Sequence, residues 1–298
     1  MNLNYLRLTA EQRAQEEIHL SNLKKRLGNQ KIRILYTNMC LVAGGLEKTI
    51  WLLAQGLDKQ IFEPELHTVY GGKWEGVMSR ILPIHKNESV ENLIDTEGFK
   101  LLHIFNVPDL YYLWKKVALI ETVEGYGTIF FKNADKQGLD RLVFCSDKMK
   151  KTLMPLVNVD SSRVEVMPNP VDIDRKIMGG KLKRRLGITN RKLIGWIGRL
   201  SPEKNPDLFL DVANALSKDY SFVVIGEGWN PEINIEFLEK MKASKADIHW
   251  IRDIDPNEIM DYISDFDLIC NTSYTEGHPF SLLEAMAVRV PVVSMCVG

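Results

Sequence analysis

From Lys31 onward, short apolar runs alternate with stretches whose apolar residues recur every three or four positions, the pattern of strands and helices taking turns along a parallel sheet. Residues 32–36 read as a strand, 38–45 as a loop and 47–57 as an amphipathic helix. Later strands are predicted at residues 101–105, 119–122, 142–145, 164–167, 193–197, 222–225, 248–251, 268–270 and 290–297, with helices filling most of the gaps. Ahead of this alternation, residues 10–27 read as one helix. Thr9 and Gln12 offer a capping box, Glu11, Glu16 and Glu17 precede Lys24, Lys25 and Arg26, and Gly28 follows the last leucine, the charge order a helix dipole favours. Ala14, Ile18, Leu20, Leu23 and Leu27 give it an apolar side expected to pack on the first domain, with a membrane-surface or partner contact as the alternative.

Two clusters in the second half carry chemistry. Gly198-Arg199 follows the 193–197 run directly, and Lys204 stands five residues after Arg199. Asn205 can cap the next helix, Pro206 suits its first position, and Leu208, Val212 and Leu216 repeat every four residues along the face expected to meet the sheet. Arg199 and Lys204 thus sit on a strand-to-helix crossover, where open parallel sheets bind ligands, and an Arg fork with a Lys point charge suits a diphosphate. The plain alternative is a pair of solvated loop cations.

The second cluster is Thr275 to Ala287, where Glu276 and Glu284 are separated by seven residues. Ser281 with Glu284 reads as a capping box that starts a helix near Leu282 and leaves Glu276 in the turn feeding it. A helix start offers free N–H donors and partial positive charge to an anion, whereas two glutamates repel that anion unless they hold hydroxyls beside it. Phosphate plus polyol points to a sugar nucleotide. Glu284 as a mere capping partner and Glu276 as a solvated loop residue are the competing readings.

The domain junction is expected between Pro168 and Gly180, where two prolines and the Gly179-Gly180 pair precede a basic helix at 181–186 ended by Gly187. That divides the chain into an N-terminal helix (1–28), a first domain (29–172) and a second domain (173–298). Lys181, Lys183, Arg184 and Arg185 read as a solvated helix face, with an acidic lipid surface or an anionic acceptor as the alternative.

A chain of 298 residues exceeds what one core usually organises, and 45% hydrophobic with 26% charged residues is ordinary globular composition. A net charge of −1 lacks the basic excess of a general nucleic-acid binder, so no nucleic acid is expected as partner. Cys40, Cys145, Cys270 and Cys296 are widely spaced, which suits a reducing compartment. No apolar stretch is long enough to span a bilayer, and Arg7, Glu11 and Arg13 stand where a signal core would be, so a cytoplasmic location is expected. The six histidines show no zinc-ligand spacing, and Gly226-Glu227-Gly228 lacks the rest of a phosphate loop and reads as a turn after a strand.

Taken together the motifs resemble glycosyltransferase family 4, the retaining GT-B enzymes. The likeness runs through Ala43-Gly44-Gly45-Leu46-Glu47, Val166 to Asp172, Gly198-Arg199-Leu200 with Lys204, Ile225 to Gly228, and Glu276 through Ala287 with Pro291-Val292-Val293. It implies an α/β fold of two Rossmann-like parallel-sheet domains facing a cleft, the second incomplete at its C-terminal end. It also implies that Arg199 and Lys204 hold a donor diphosphate, that Glu276 meets sugar hydroxyls and that Glu284 binds the nucleotide ribose. Main-chain groups of Gly277, His278, Pro279, Phe280, Ser281 and Leu282 complete the cradle, and Gly44 and Gly45 let main chain approach the donor. His278 either touches the donor or holds the loop by a hydrogen bond. The expected reaction moves a hexose from a nucleoside-diphosphate sugar to an unidentified glycan, lipid or other acceptor with retention of configuration. No metal or other cofactor is expected, because the two basic side chains meet the leaving charge. Peripheral contact with the inner face of a membrane fits a lipid acceptor.

A sugar-nucleotide binder without transfer is the alternative, and a glycosidase gives no reason for Arg199 and Lys204. Alanine at either cation is expected to silence turnover and leave the fold intact. Four departures stand out. Glu124 takes the place of a sugar-contacting His, Asn169-Pro170 replaces Asn-Gly, Arg289 occupies a left-handed position where Gly usually ends the helix, and Gly298 falls where the family continues, implying a truncated chain.

Overall fold

The computed structural model describes residues 10–42, 44–105, 110–126, 134–135, 138–216 and 219–298. Thr9 of the first capping box and Ala43 of the glycine motif lie outside them. The chain divides into two compact units, Met1–Pro170 and Val171–Gly298.

In the first unit a seven-stranded sheet is parallel throughout, with strand order β3-β2-β1-β4-β5-β7-β9. Its elements are α1 (Ala10–Leu27), β1 (Ile32–Cys40), α2 (Gly45–Gly56), β2 (Phe62–Tyr70), α3 (Glu75–Met78), β3 (Ile84–Lys86), α4 (Val90–Glu97), β4 (Leu101–Phe105) and β5 (Ala118–Val123). After β6 (Ala134–Asp135) come β7 (Arg141–Phe144), α5 (Asp147–Leu153), β8 (Val157–Asn158) and β9 (Val164–Val166), with β6 and β8 forming a separate pair. Strands buried on both faces need apolar residues at consecutive positions. Accordingly Ile34 and Tyr36 pack with Ile50, Leu66 and Trp74 on one side, while Leu35 packs with Leu102, Leu119 and Phe144 on the other.

The sequence pattern misses β2 and β3 and stops β1 short. β2 carries Glu65, His67 and Thr68 as buried residues, so its run does not look apolar. Glu65 is matched by Arg33 Nε at 3.0 Å and His85 Nε2 at 2.7 Å, and Arg33 lies over the Phe99 ring. Pro64 fits because the Leu66 N–H reaches Pro83 on the β3 side, and Pro64, two residues back, faces that side before β3 begins; no ladder bond is lost. The helix α1 has the predicted bounds but not the predicted packing: Ala14 and Ile18 are exposed, and Leu20, Leu23 and Leu27 are only half-buried. Lys24 ties its last turns to Asp58 and Gln60, both at 2.8 Å.

The second unit holds α6 (Lys181–Leu186), β10 (Lys192–Ile197), α7 (Pro206–Ala215), β11 (Tyr220–Ile225), α8 (Pro231–Ala243), β12 (Ile248–Ile251), α9 (Ile259–Ile263), β13 (Leu268–Asn271), α10 (Phe280–Ala287) and β14 (Val292–Ser294). Its five parallel strands run in the order β12-β11-β10-β13-β14. The chain winds from β10 outward through β11 and β12, then crosses to β13 on the other side of β10, which makes β10/β13 the topological switch point.

Asn205 caps α7 as expected, its Oδ1 accepting the Leu208 N–H at 3.4 Å with Pro206 in the first helical position. The buried face of α7 is Phe209, Leu210 and Ala213, one step from the predicted Leu208, Val212 and Leu216; Leu216 is exposed. The helix α6 is held by two carboxylates of the α9 region: Asp265 accepts from the main-chain N–H groups of Gly180, Leu182 and Lys183, and Asp261 from that of Met178. Lys181 is bound inward as well, to Glu258 at 2.9 Å and Asp261 at 3.0 Å, so the basic run is not simply a solvated face. Arg289 adopts the left-handed conformation expected at the end of α10, with φ 63°.

Candidate functional site

At the β10/β13 switch point two loops meet. The first leaves β10 as Gly198-Arg199-Leu200-Ser201, makes a helical turn at Pro202–Lys204 and enters α7; the second leaves β13 through Thr272 and Ser273 to Glu276 and α10. They are stitched by main-chain and side-chain bonds. The Tyr274 N–H donates to the Glu203 carbonyl at 2.8 Å, and the Thr272 hydroxyl to the carbonyls of Lys204 and Asn205 at 3.2 and 2.8 Å. Thr272 in turn accepts the indole N–H of the buried Trp196 at 2.9 Å. The strongest tie joins the two predicted clusters: Lys204 Nζ donates to both carboxylate oxygens of Glu276, at 2.7 and 2.6 Å, and Ser273 Oγ adds a third bond at 2.7 Å.

Arg199 stands on the same loop and is held from two sides. Its Nη2 donates to Glu203 Oε1 at 2.7 Å, and its guanidinium lies over the Trp229 ring at 4.8 Å from the centroid. Burial alone would push the Glu203 carboxyl up, but the hydrogen bonds from Ser201 and Arg199 outweigh it and hold the acid below its ordinary value.

The helix α10 starts two residues earlier than predicted, at Phe280, and its Pro279 start has no side-chain cap, so the Ser281–Glu284 capping box is not made. Ser281 is the second residue of the helix, and Glu284 is buried in the first turns instead of bracing the N-terminus. Gly277, His278 and Pro279 form the approach to this helix, with Leu282 in its first turn. Burial of His278 lowers its pKa, which favours the neutral imidazole at neutral pH.

Gly44 and Gly45 belong to the first unit. Gly44 precedes α2 in an extended conformation, and a Cβ there would stand 2.7 Å from Glu47 Oε2. Glu47 is buried and accepts from Asn38 Nδ2 at 3.2 Å. In the same unit Glu124, at the carboxyl end of β5, accepts from Asn169 Nδ2 at 3.0 Å and from the Thr49 hydroxyl, while its Oε1 is buried without a hydrogen-bond partner. Burial first, and the nearby Glu47 charge after it, push this carboxyl up to about 7 against the pull of those two bonds. At neutral pH Glu124 therefore carries a proton much of the time.

Sequence reading did not single out Glu203, Ser273, Trp229 or Glu47. Glu203 and Ser273 are ordinary loop residues until the fold brings them beside the cations. Trp229 had a signal in its place directly after Gly226-Glu227-Gly228.

Two doubly wound, all-parallel α/β units define the GT-B fold. The crystal structure of Anabaena Alr3699/HepE in complex with UDP-glucose has the same fold, with a TM-score of 0.74 at 15% identity over 90% of this chain and 81% of that one. WaaG, a glycosyltransferase involved in lipopolysaccharide biosynthesis, gives a TM-score of 0.70 at 15% identity over 88% and 81%. Residues 180–298 match the family model described as Glycosyl transferases group 1. Among curated relatives, the Escherichia coli UDP-Gal:alpha-D-GlcNAc-diphosphoundecaprenol alpha-1,3-galactosyltransferase is 29% identical over 51% of this chain. The D-inositol 3-phosphate glycosyltransferase of Mycolicibacterium smegmatis is 26% identical over 53% of it. The chain covers 42% and 38% of the length of those two relatives. Among the described residues no group of three or more His, Cys, Asp or Glu side chains is arranged to hold a metal ion, and no helix is long and apolar enough to cross a membrane.

Proposed function

We propose that this chain takes part in glycosyl transfer from a nucleoside-diphosphate sugar, binding the donor in the second unit at the β10/β13 switch point. The observation that carries the reading is the Lys204–Glu276 pair, which puts a cation fit for phosphate beside a carboxylate fit for hydroxyls at the carboxyl ends of parallel strands. Departure of a nucleoside diphosphate develops negative charge. Fixed cations and helix N–H groups stabilise that charge best where water is scarce. Arg199, Lys204 and the first turn of α10 supply that stabilisation, Glu276 orients the sugar hydroxyls, and Glu284 takes the ribose. Main-chain groups from Gly277 to Leu282 line the donor. Retention of anomeric configuration belongs to the same reading, with the leaving phosphate accepting the acceptor's proton and the two basic side chains acting without a metal. A glycan or lipid acceptor, met in the cytoplasm or at the inner face of a membrane, completes it.

Uridine nucleotides are the first donors to test, because a similar fold was solved with UDP-glucose and a relative is named for UDP-Gal. Thermal-shift screening with UDP, GDP, ADP and their sugars, followed by turnover of any stabilising donor, checks the proposal. A ligand at a hundred times its dissociation constant adds roughly 2.7 kcal/mol. Binding without transfer or slow hydrolysis of any donor would favour the sugar-nucleotide binder, and no binding at all would overturn the reading.

A further inference from the structure

Trp229 is the most exposed large apolar side chain among the described residues, at 71%. Its backbone is nevertheless firmly placed. The Gly228 N–H donates to Asn234 Oδ1 at 2.8 Å just before it, and Asn230 just after it caps α8 by accepting the Ile233 N–H at 2.9 Å. Its loop is also pinned to the Arg199 loop, because the Leu200 N–H donates to the Glu227 carbonyl at 3.1 Å and Gly226 packs so closely on Gly198 that a Cβ would strike the Gly198 carbonyl oxygen. An indole on a fixed backbone, with its face toward Arg199 and the rest in solvent, gains little from packing.

We propose that Trp229 is a positioning residue for donor binding, a platform that holds the flat face of the Arg199 guanidinium and leaves the N–H edge free for a diphosphate. The physical logic lies in the two kinds of contact Arg199 makes. A cation over a ring uses the guanidinium face and none of its N–H groups, so it persists when the hydrogen-bond partner changes. The Glu203 bond uses the N–H edge and is the one an incoming phosphate replaces or shares. The aromatic contact therefore fixes where the fork points while the carboxylate occupies it in the free protein. This inference rests on Arg199 as a diphosphate-holding cation.

The test is a double-mutant cycle with UDP, GDP and ADP as probes, read by calorimetry on wild type, Arg199→Ala, Trp229→Ala, Trp229→Phe and the Arg199→Ala/Trp229→Ala double variant. Trp229→Ala is expected to weaken the bound nucleotide ~10-fold, Trp229→Phe to stay within ~3-fold of wild type, and the Trp229→Ala effect to vanish in the Arg199→Ala background. Loss of affinity in Arg199→Ala with none in Trp229→Ala overturns the proposal and leaves the donor site standing. A Trp229→Ala loss that persists in the Arg199→Ala background also overturns it, since the indole would then act without the guanidinium. Failure of wild type to bind any of the three nucleotides removes the donor site and this inference with it.

Discussion

Lys204 and Glu276 come from loops 72 residues apart and share two hydrogen bonds of 2.7 and 2.6 Å, with the Glu276 side chain only 9% exposed. Lys204→Ala leaves that carboxylate with Ser273 as its remaining partner, so the substitution acts on the fold as well as on the site. A loss of about 1–3 kcal/mol in urea unfolding is expected, smaller than for a fully buried pair because Lys204 reaches solvent. Donor turnover should fall about a hundred- to a thousandfold. Glu276→Gln, which can still accept from Lys204, should lose less stability, and equal losses for the two variants would contradict the pairing argument.

The Glu124 carboxyl makes the first unit sensitive to alkali. Its folded-state value of about 7 lies above the ordinary 4.5, so the folded protein holds a proton that the unfolded chain releases first. Stability from this group is therefore full below about 4.5 and declines as pH rises to about 7, the opposite of an ion-paired acid. Glu124→Gln mimics the protonated form and keeps an acceptor for Asn169. The difference in unfolding free energy between Glu124→Gln and wild type should grow from pH 5 to pH 8 in favour of the variant, to at most ~3 kcal/mol. A difference that stays flat over that range would mean Glu124 ionises normally.

Gly226 has a φ of 135°, which side-chain-bearing residues rarely adopt, and faces the Gly198 carbonyl with no room for a Cβ. Gly226→Ala should cost about 2–5 kcal/mol and displace the Arg199 loop. Denaturant unfolding and nucleotide affinity should both record it.

Arg289 offers the reverse. Its left-handed backbone costs a residue with a Cβ roughly 1 kcal/mol, so Arg289→Gly should raise stability by up to that amount, less what glycine loses in the unfolded chain. A fall in melting temperature would show that the Arg289 side chain contributes more than its backbone costs.

The parts of the fold that were legible in the sequence are those where local pattern and burial agree. Leu101–Phe105 and Ile248–Ile251 are apolar apart from His103 and His249, and both have the bounds the pattern predicts. Phe62–Tyr70 was not legible because its buried Glu65 is matched by Arg33 and His85 and its buried His67 meets the Glu88 carbonyl, partners that sequence order does not bring near. Ser281 and Glu284 have capping-box spacing, yet the helix starts at Phe280 and buries Glu284, so spacing was correct for a motif that the packing did not use. The cations and carboxylates at the switch point could be named one by one; their pairing could not, because it depends on β13 lying beside β10. The raised Glu124 carboxyl was still less readable, since Glu47 and Thr49 of one helix and Asn169 from a second, distant stretch build its surroundings.

Asp261 and Asp265 collect main-chain hydrogens from Met178, Gly180, Leu182 and Lys183. The glycine-containing stretch after Pro170 is consequently not slack tether but a fastened strap of the second unit. Anyone excising that unit for recombinant work should cut ahead of residue 171, since a fragment opened at residue 181 would take the Met178 donor from Asp261 and the Gly180 donor from Asp265.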